Sequence, residues 1–358
     1  MILMTVLIFI GLLLALVLVH EWGHFIAAKK AGCRVEEFGF GFPPRLFSYT
    51  YHDTRYSFNL LPIGGFVKIE GEDMQDSNPA PTSFGSKSAL WRIIILSAGV
   101  IMNVVLATIL LTWQGMIGFP TLITEENKQT LTDHHTYILE VAPNSPAAQA
   151  GVQALDRIAE LEQITDPTIE DVQTLLQQKA GESVAIVVDR QGTKHTLQVT
   201  PRLNPPAGEG ALGISLAATG LEKIPWWEAP WFGIKRTGTM LAAIVTQFWL
   251  LLQRLLAEGN VGGNLTGPIG IAVYTNEAAK LGLSYILEFG ALISLNLALI
   301  NILPLPALDG GRIIFVLLEK IRGHRLPVKF EQITHTIGFA LLIFLMLLIT
   351  FRDIRRFF

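Results

Sequence analysis

The stretch ILMTVLIFIGLLLALVLVHEWGHFIAAKK, residues 2–30, joins an apolar run of 18 residues to the motif HEWGH. Such a run is close to the ~20 residues that a helix needs to cross a bilayer. In a helix, His20 and His24 lie on the same face, so both imidazoles can reach one zinc ion. Glu21 points roughly a quarter-turn away, where it can act as a base on a water held by the metal. Ionisable side chains at membrane depth are costly, so this set predicts a functional site rather than a pair of packed histidines.

The composition of the chain is that of a membrane protein. Of its 358 residues, 50% are hydrophobic and only 16% are charged, unlike an ordinary soluble protein. The net charge of −3 gives no reason to expect a nucleic-acid partner. Cys33 is the only cysteine, which excludes an internal disulfide and a thiolate-rich metal site. The N-terminal run lacks the basic start and cleavage site of a secretory signal, so we expect it to be retained.

Four apolar stretches are long enough to cross a membrane. The first, Ile2–Val19, continues as helix to about Ala28, and the others are Ile93–Leu111, Phe289–Leu308 and about Ile333–Phe351. Basic residues are dense in the loops after the first and third stretches. By the positive-inside rule both loops lie in the cytoplasm, and the N-terminus lies outside.

The segment between the second and third stretches has two parts. Residues 120–202 predict a small α+β insert, in which strand-like and helix-like runs alternate with Gly, Asn and Pro turns. Because it follows the second stretch, this insert is expected outside the cytoplasm. Met240–Leu256 is nearly long enough to span, but it contains two glutamines and an arginine and follows three tryptophans. We therefore predict that it is an amphipathic helix on the outer membrane surface.

The sequence YSFNLLPIGGFVKIE, residues 56–70, predicts two short strands around a Pro/Gly turn. It is more apolar than a cytoplasmic loop needs to be. One interpretation is a hairpin that dips into the membrane and offers a free strand edge, at Gly64, Gly65, Phe66 and Val67, to an extended substrate. The alternative is an ordinary hairpin packed on the helices.

A third metal ligand is expected in NILPLPALDGGR, at the end of the third apolar stretch. A catalytic zinc ion takes three protein ligands and keeps one open position. Asp309 is a carboxylate next to an apolar run, preceded by the helix breakers Pro304 and Pro306. Gly310 and Gly311 allow the turn that would aim its side chain inward. The alternative is that Asp309 only caps the next helix. The remaining histidines suggest no site; His52, His195, His324 and His335 stand alone.

HEWGHF and NILPLPALDGG are similar to the two signatures of the site-2 protease family of intramembrane zinc metalloproteases. The resemblance extends in the same order over most of the chain, and the nearest subgroup is the bacterial regulator-of-sigma-E protease type, with room here for one PDZ-like domain. The further matching motifs are FGFGFPPRLF (38–47), GGFVKIEGED (64–73), SPAAQAG (145–151) and LTGPIGIA (265–272).

The resemblance implies a polytopic α-helical membrane protein of about four transmembrane helices, with a membrane-associated β-hairpin and an inserted α+β PDZ-like domain. It makes His20, His24 and Asp309 the ligands of one Zn²⁺ and Glu21 the base. It also implies that Asn296 and Asn301 hold the substrate backbone, although such asparagines can instead join helices. The expected divisions are a first catalytic membrane half (1–115), an extracytoplasmic PDZ-like domain (120–202), a linker with the interfacial helix (203–264) and a second catalytic membrane half (265–358).

Two positions depart from the family pattern. Val100 stands in the second stretch where many relatives have proline. Leu155 stands where a glycine usually precedes the aspartate of the PDZ-like domain. The second departure weakens the case that the domain binds peptide C-termini, and it leaves a steric size filter as the other role.

The expected function is cleavage of transmembrane segments of single-span membrane proteins, such as anti-sigma factors or signal-peptide remnants, in a bacterial plasma membrane. An upstream protease of the site-1 type is an expected partner, since it would first trim the outer part of the substrate. The alternative is a membrane scaffold or chaperone that retains the zinc site, but binding alone needs no base at Glu21. A zinc transporter would need carboxylates along several spans, and the second and fourth stretches contain none.

Overall fold

The fold was analysed in a computed structural model that describes residues 2–72, 80–124, 127, 131–190, 192–206, 208–259, 266–324 and 327–357. The chain divides into two compact units. Unit 1 comprises residues 1–113, 230–279 and 286–358, and unit 2 comprises residues 114–229 and 280–285. The two catalytic halves expected from the sequence therefore belong to one unit, while the segment between them forms most of the other.

Five helices in the described ranges are long and apolar enough to cross a membrane, as expected of a polytopic membrane protein. They are α1 (Ile2–Lys30), α2 (Ala89–Ile117), α5 (Ala229–Glu258), α7 (Leu283–Ile302) and α9 (Val328–Phe357). The four predicted stretches lie mainly in α1, α2, α7 and α9. Two shorter helices flank α7 along the chain: α6 (Pro268–Leu281) precedes it and α8 (Asp309–Arg322) follows it.

Helix α5 is longer than the Met240–Leu256 helix expected from the sequence, because it begins at Ala229. Its first half packs side by side with α2, where Thr237 Oγ1 donates a hydrogen bond to Thr108 Oγ1 at 3.1 Å. Gly233 faces Thr112 so closely that a Cβ would collide with the threonine hydroxyl. Length and composition would let α5 span as well, so the placement of this helix on the outer surface stays a prediction.

A hairpin of two long strands, β1 (Val35–Tyr51) and β2 (Thr54–Ile69), follows α1. The predicted reversal at the Pro/Gly sequence is present, because residues 55–58 run parallel to residues 37–40 whereas residues 65–69 run antiparallel to them. The two arms do not pair with each other, because residues 37–40 lie between them. The chain also turns at His52 and Asp53, whose φ angles of 46° and 59° resemble those of a type I′ turn. Neither residue is glycine, and β1 contains two prolines, which count against a strand. Pattern rules therefore overlooked the partner strand.

The register shows that the two ends of β2 flank the first half of β1 rather than pairing with each other. Phe38 pairs with Val67 on one side and with Tyr56 on the other. Gly65–Ile69, which we call the edge segment, consequently forms one margin of the sheet. Its outer side pairs with no strand in the part of the chain that the structure describes.

Unit 2 contains an antiparallel sheet in the order β3-β9-β4-β5-β7-β8, with β6 paired to β5. Strand β9 (Ile214–Glu222) lies in the segment predicted as linker, and it pairs with both β3 and β4. The expected linker at 203–264 therefore contains a strand of the sheet, whose partners lie far away in sequence. The other elements are β3 (Phe119–Leu122), β4 (Thr132–Val141), α3 (Pro146–Gln149), β5 (Arg157–Leu161), β6 (Ile164–Thr165), α4 (Ile169–Gln178), β7 (Val184–Arg190) and β8 (Thr193–Val199).

Helix α4, the longer of the two helices described in the insert, begins with a capping box. Thr168 Oγ1 accepts from the Asp171 amide at 3.2 Å, and the Asp171 carboxylate accepts from the Thr168 amide at 3.0 Å. The hydrogen bond from the Thr168 hydroxyl lowers the pKa of Asp171. The ionised carboxylate is thus the form that caps the helix.

Helix α6 is tied to the far end of α9 by a buried carboxylate. Asp353 is 1% exposed, and its Oδ2 accepts from the backbone amides of Gly267 at 2.9 Å and Gly270 at 2.8 Å. These amides belong to the first turn of α6, where a helix leaves donors without partners and favours negative charge. Residues 267–270 of the LTGPIGIA motif therefore owe part of their structure to a residue more than eighty positions away.

Candidate metal centre

Three predicted ligands meet in unit 1. His20 and His24 lie on one face of α1, and their Nε2 atoms are 3.2 Å apart. Asp309 begins α8, and its Oδ2 lies 3.2 Å from His20 Nε2 and 3.4 Å from His24 Nε2. Among the described residues, these three form the one cluster of His, Cys, Asp and Glu side chains that can hold a metal ion.

The spacing of the three atoms fits a tetrahedral zinc site. Zinc bonds to nitrogen and carboxylate oxygen of about 2.0–2.1 Å imply ligand-to-ligand distances of about 3.3–3.4 Å. The observed triangle has sides of 3.2, 3.2 and 3.4 Å. Asp309 Oδ2 is moreover buried without a hydrogen-bond partner among the described residues, which is costly unless a cation or a proton satisfies it. The donor set and its geometry therefore suit a zinc ion with one position left open.

The second nitrogen of each histidine is held by another group. His24 Nδ1 donates to the Ile95 carbonyl at 2.8 Å, which leaves Nε2 as the free acceptor. His20 Nδ1 lies 3.2 Å from Nδ2 of Asn103, a fully buried residue on α2. The amide oxygen and nitrogen are interchangeable by a 180° rotation, and Oδ1 bonds to none of the described residues. With Oδ1 turned toward His20, it accepts the Nδ1 proton and aims Nε2 at the metal. The sequence analysis did not assign Asn103 a role.

Glycines bring α2 close enough for these contacts. A Cβ on Gly99 would lie 2.8 Å from His20 Nε2 and closer still to His24 Nε2. On α1, a Cβ on Gly23 would clash with the Ala98 carbonyl. Small residues at such positions allow helix backbones to approach in a membrane. Gly99 is the one glycine of the second apolar stretch, so the sequence contained a signal for this close approach.

Glu21 lies in a cleft of about 240 Å³ beside the three ligands. The edge segment forms one wall of this cleft, which Phe66, Val67 and Ile69 line. Gly65 is close to Glu21, since a Cβ on Gly65 would be 3.5 Å from Glu21 Cγ. Three of the residues predicted to bind substrate are thus next to the predicted base.

Gly64, the fourth, occupies an irregular part of the strand. Its φ angle is 87°, a value that glycine adopts without strain. A Cβ there would approach the Phe42 ring to 3.0 Å, so Gly64 contacts the hairpin rather than the ligands. The positive φ angle of Gly64 allows the bend that leads into the edge segment.

The two intramembrane asparagines have different surroundings. Asn301 Nδ2 lies 3.3 Å from His20 Nε2, at the metal centre. Asn296 Nδ2 donates at 2.8 Å to the Leu292 carbonyl of its own helix. Five residues correspond to about 1.4 turns of an α-helix, so the two side chains leave different faces of α7. The structure therefore brings Asn301, and not Asn296, to the site.

The loop before Asp309 contacts a residue that the sequence analysis passed over. The Ala307 amide donates to His335 Nδ1 at 2.8 Å. His335 lies on α9, and Ala307 lines the cleft of the metal centre. The interpretation of His335 as an isolated histidine is therefore wrong, because only the packing of α9 against the loop makes the pair.

Comparison with known proteins gives consistent matches over nearly the whole chain. The model of peptidase family M50 matches residues 8–345. A Clostridium perfringens protein, named as a candidate zinc metalloprotease, is 36% identical over 342 residues, which cover 95% of each chain. The zinc metalloproteases RasP of Oceanobacillus iheyensis and Bacillus licheniformis are 30% and 29% identical, and the alignments cover 99% of this chain and 99% of each relative.

Proposed function

Because the chain belongs to peptidase family M50, it is an intramembrane zinc metalloprotease, and we propose that it cleaves transmembrane segments of single-span proteins at the His20–His24–Asp309 centre. The family expected from the sequence is thereby confirmed. The observation that carries the proposal is the triangle of ligand atoms with sides of 3.2–3.4 Å, next to Glu21 in the same cleft.

The chemistry divides between the metal and the side chains around it. Zinc bound to the three ligands would supply a Lewis acid and make water acidic enough to react near neutral pH. Glu21 accepts a proton from the attacking water and later delivers it to the leaving amine. Asp309 also lowers the net charge of the site, which matters in a poor dielectric. Asn103 and the Ile95 carbonyl keep the two imidazoles in the tautomers that the metal needs.

Substrate binding is proposed to use the edge segment. A transmembrane helix hides its peptide groups in its own hydrogen bonds, so a segment must unwind before attack, and the freed groups then need partners at membrane depth. The open side of the edge segment offers a row of backbone donors and acceptors beside Glu21. Asn301, next to His20, supplies an amide to the same backbone.

The biological setting follows from the sequence-based expectations. We propose that the protein lies in a bacterial plasma membrane, with the insert outside the cytoplasm. Its substrates would be anti-sigma factors or signal-peptide remnants that an upstream protease of the site-1 type has shortened. The insert, a PDZ-like domain in this proposal, would exclude substrates whose outer part is still large.

The decisive experiment compares wild type with Glu21→Gln on a tagged single-span substrate whose outer domain has been removed. We expect equal zinc contents and cleavage slower by about 10²–10⁴-fold in the variant. Glu277→Gln is the matched control, because it makes the same change on an exposed face of α6 and should cleave like wild type.

The alternative function, a scaffold or chaperone that retains zinc, makes the opposite prediction. In a scaffold or chaperone, Glu21→Gln would leave the bound partners and the scaffold activity unchanged. Neither wild type nor the variant would then cleave the substrate. Absence of zinc from the wild type would instead overturn the metal centre itself.

A further inference from the structure

The loop that carries Asp309 contains a residue in an unusual backbone conformation. Ala307, two residues before the ligand, has a φ angle of 74°, in the left-handed region that disfavours any residue with a Cβ. Such a conformation persists only when surrounding contacts hold it. The loop amides nearby bond to backbone carbonyls, for example Leu305 to Leu303 and Leu308 to Leu305. The amide of Ala307 instead bonds to a side chain, His335 Nδ1, at 2.8 Å.

Helix α9 also touches the loop one turn further on. A Cβ on Gly338 would lie 2.5 Å from Pro306 Cβ and 2.6 Å from the Pro306 carbonyl oxygen. His335 and Gly338 are three positions apart, on one face of α9. That face therefore lies directly against the backbone of residues 306 and 307.

The opposite side of the loop is closed by glycines. A Cβ on Gly310 would clash with the Ile302 and Leu303 carbonyls, and one on Gly311 would clash with the Leu305 carbonyl. The loop is thus folded tightly on the end of α7, with α9 against its other side. No side chain of the described ranges makes a hydrogen bond that fixes Asp309 Oδ2, so the position of this oxygen depends on the backbone that carries it.

We propose that His335 is a positioning residue for the metal ligand Asp309, acting through its hydrogen bond with the Ala307 amide. An acceptor is favoured at this point because the part-buried amide would otherwise lose its bond. The imidazole accepts at Nδ1 and carries its proton on Nε2, which lies 4.0 Å from Glu331 Oε1. The Phe315 ring packs edge-on against His335, with centroids 5.3 Å apart, and fixes the plane of the imidazole.

This inference rests on the proposed zinc site and gives α9 a part in it. Helix α9 contributes no ligand, but its His335 sets the backbone from which the third ligand projects. Partners of this kind, outside the ligand shell, typically change metal affinity or activity by about 10–100-fold when they are removed.

The test uses two substitutions of the same shape. His335→Asn keeps an acceptor near the position of Nδ1, whereas His335→Leu removes it. In the full-length protein, zinc affinity is measured by competition with a chelator, without substrate. We expect His335→Leu to bind zinc about 10–100-fold more weakly and His335→Asn to stay within about threefold of wild type. Cleavage should show the same order in kcat, with KM nearly unchanged, since the edge segment is intact.

Thr336→Val is the matched control. Thr336 follows His335, and both line a cavity of about 300 Å³ beside the loop. Its hydroxyl bonds to the Gln332 carbonyl of its own helix, so this variant should bind zinc like wild type. If His335→Leu does not accumulate as folded protein, His335→Gln replaces it, because its amide lies where Nε2 was and should also fail to support zinc binding.

Three results would overturn the inference. Wild-type zinc affinity in His335→Leu, or in the replacement His335→Gln, would show that the acceptor is unimportant. Equal losses in His335→Asn and His335→Leu would show that the ring acts only by packing. A loss in Thr336→Val as large as that in His335→Leu would assign the effect to the cavity as a whole. All three leave the proposed function intact, because that function fails only if the wild type holds no zinc or cleaves nothing.

Discussion

Gly99 on α2 lies directly against His20 on α1, so that a Cβ on the glycine would stand 2.8 Å from the imidazole Nε2 that faces the metal. A contact this short leaves no room for any side chain at position 99. The second apolar helix therefore shapes the metal centre although it provides no ligand.

Gly99→Ala tests this contact. The added methyl group must displace one of the imidazoles, and we expect zinc affinity and kcat to fall by about tenfold or more. Helix formation itself should not suffer, because alanine is the better helix former by ~1 kcal/mol. The control is Gly11→Ala on α1, where a Cβ would meet nothing within 4 Å. Retention of zinc and activity in Gly99→Ala would mean that the helices can separate without cost to the site.

The asparagines of the membrane region should differ in importance. Asn103→Leu removes the partner of His20 Nδ1 and should weaken zinc binding by about 10–100-fold. Asn301→Leu should lower kcat while zinc is retained, because the proposed role of its amide is to hold substrate. Asn296→Leu serves as the control, since Asn296 donates to the Leu292 carbonyl of its own helix. Equal effects of all three substitutions on protein yield alone would indicate helix packing instead.

Proline substitutions test the edge segment as a substrate-binding strand. Adjacent strand residues direct their amides to opposite sides of the strand. One of the two variants Phe66→Pro and Val67→Pro therefore removes an amide from the open edge, and the other removes an amide that faces the neighbouring strand. We expect at least one of them to raise KM by about tenfold, with zinc content unchanged. Tyr49→Pro is the control in the other marginal segment, where Tyr49 pairs with Tyr56. Normal cleavage by both edge variants would exclude strand pairing with the substrate.

Asp353 should matter for stability rather than for chemistry. Asp353→Ala leaves the Gly267 and Gly270 amides buried without their acceptor, and each charge-assisted bond contributes about 1.5–3 kcal/mol. Thermal unfolding in detergent should therefore begin at a clearly lower temperature. Asp353→Asn keeps an acceptor, so its unfolding temperature should lie between those of Asp353→Ala and wild type. An unchanged transition in Asp353→Ala would mean that α6 is held by other contacts.

Leu155 is expected to strain the insert. It has a φ angle of 70° and its side chain is 75% exposed, so little burial offsets the left-handed conformation. Leu155→Gly should relieve this strain and stabilise the insert by up to about 1 kcal/mol, the gain being reduced by the flexibility of glycine in the unfolded chain. Leu155→Ala keeps the strain and should change little. Hydrogen exchange of unit 2 in the full-length protein measures both; slower exchange in Leu155→Ala than in Leu155→Gly would contradict the assignment.

Much of the site could be predicted because its signals are local. The spacing of His20, Glu21 and His24 follows from the helical period, and an apolar run identifies the helix as membrane-spanning. Asp309 was marked by the prolines before it and the glycines after it. The Pro/Gly turn and the free edge at Gly65, Phe66 and Val67 were expected from the sequence, and the register places these residues at one margin of the sheet. The strand that lies between the two arms was not expected, because β1 contains two prolines and the turn at His52 and Asp53 has no glycine.

The sequence by itself determined the chemistry of this protein, since ligands and base lie in two short motifs whose residue types and spacing suffice to define a metal centre. Only the tertiary structure decided which residues hold that centre in shape. Gly99, Asn103 and His335 act across helix contacts, and β1 lies between the two ends of β2. Such relationships join residues that are distant along the chain, and helical or strand periodicity contains no information about which distant faces will meet.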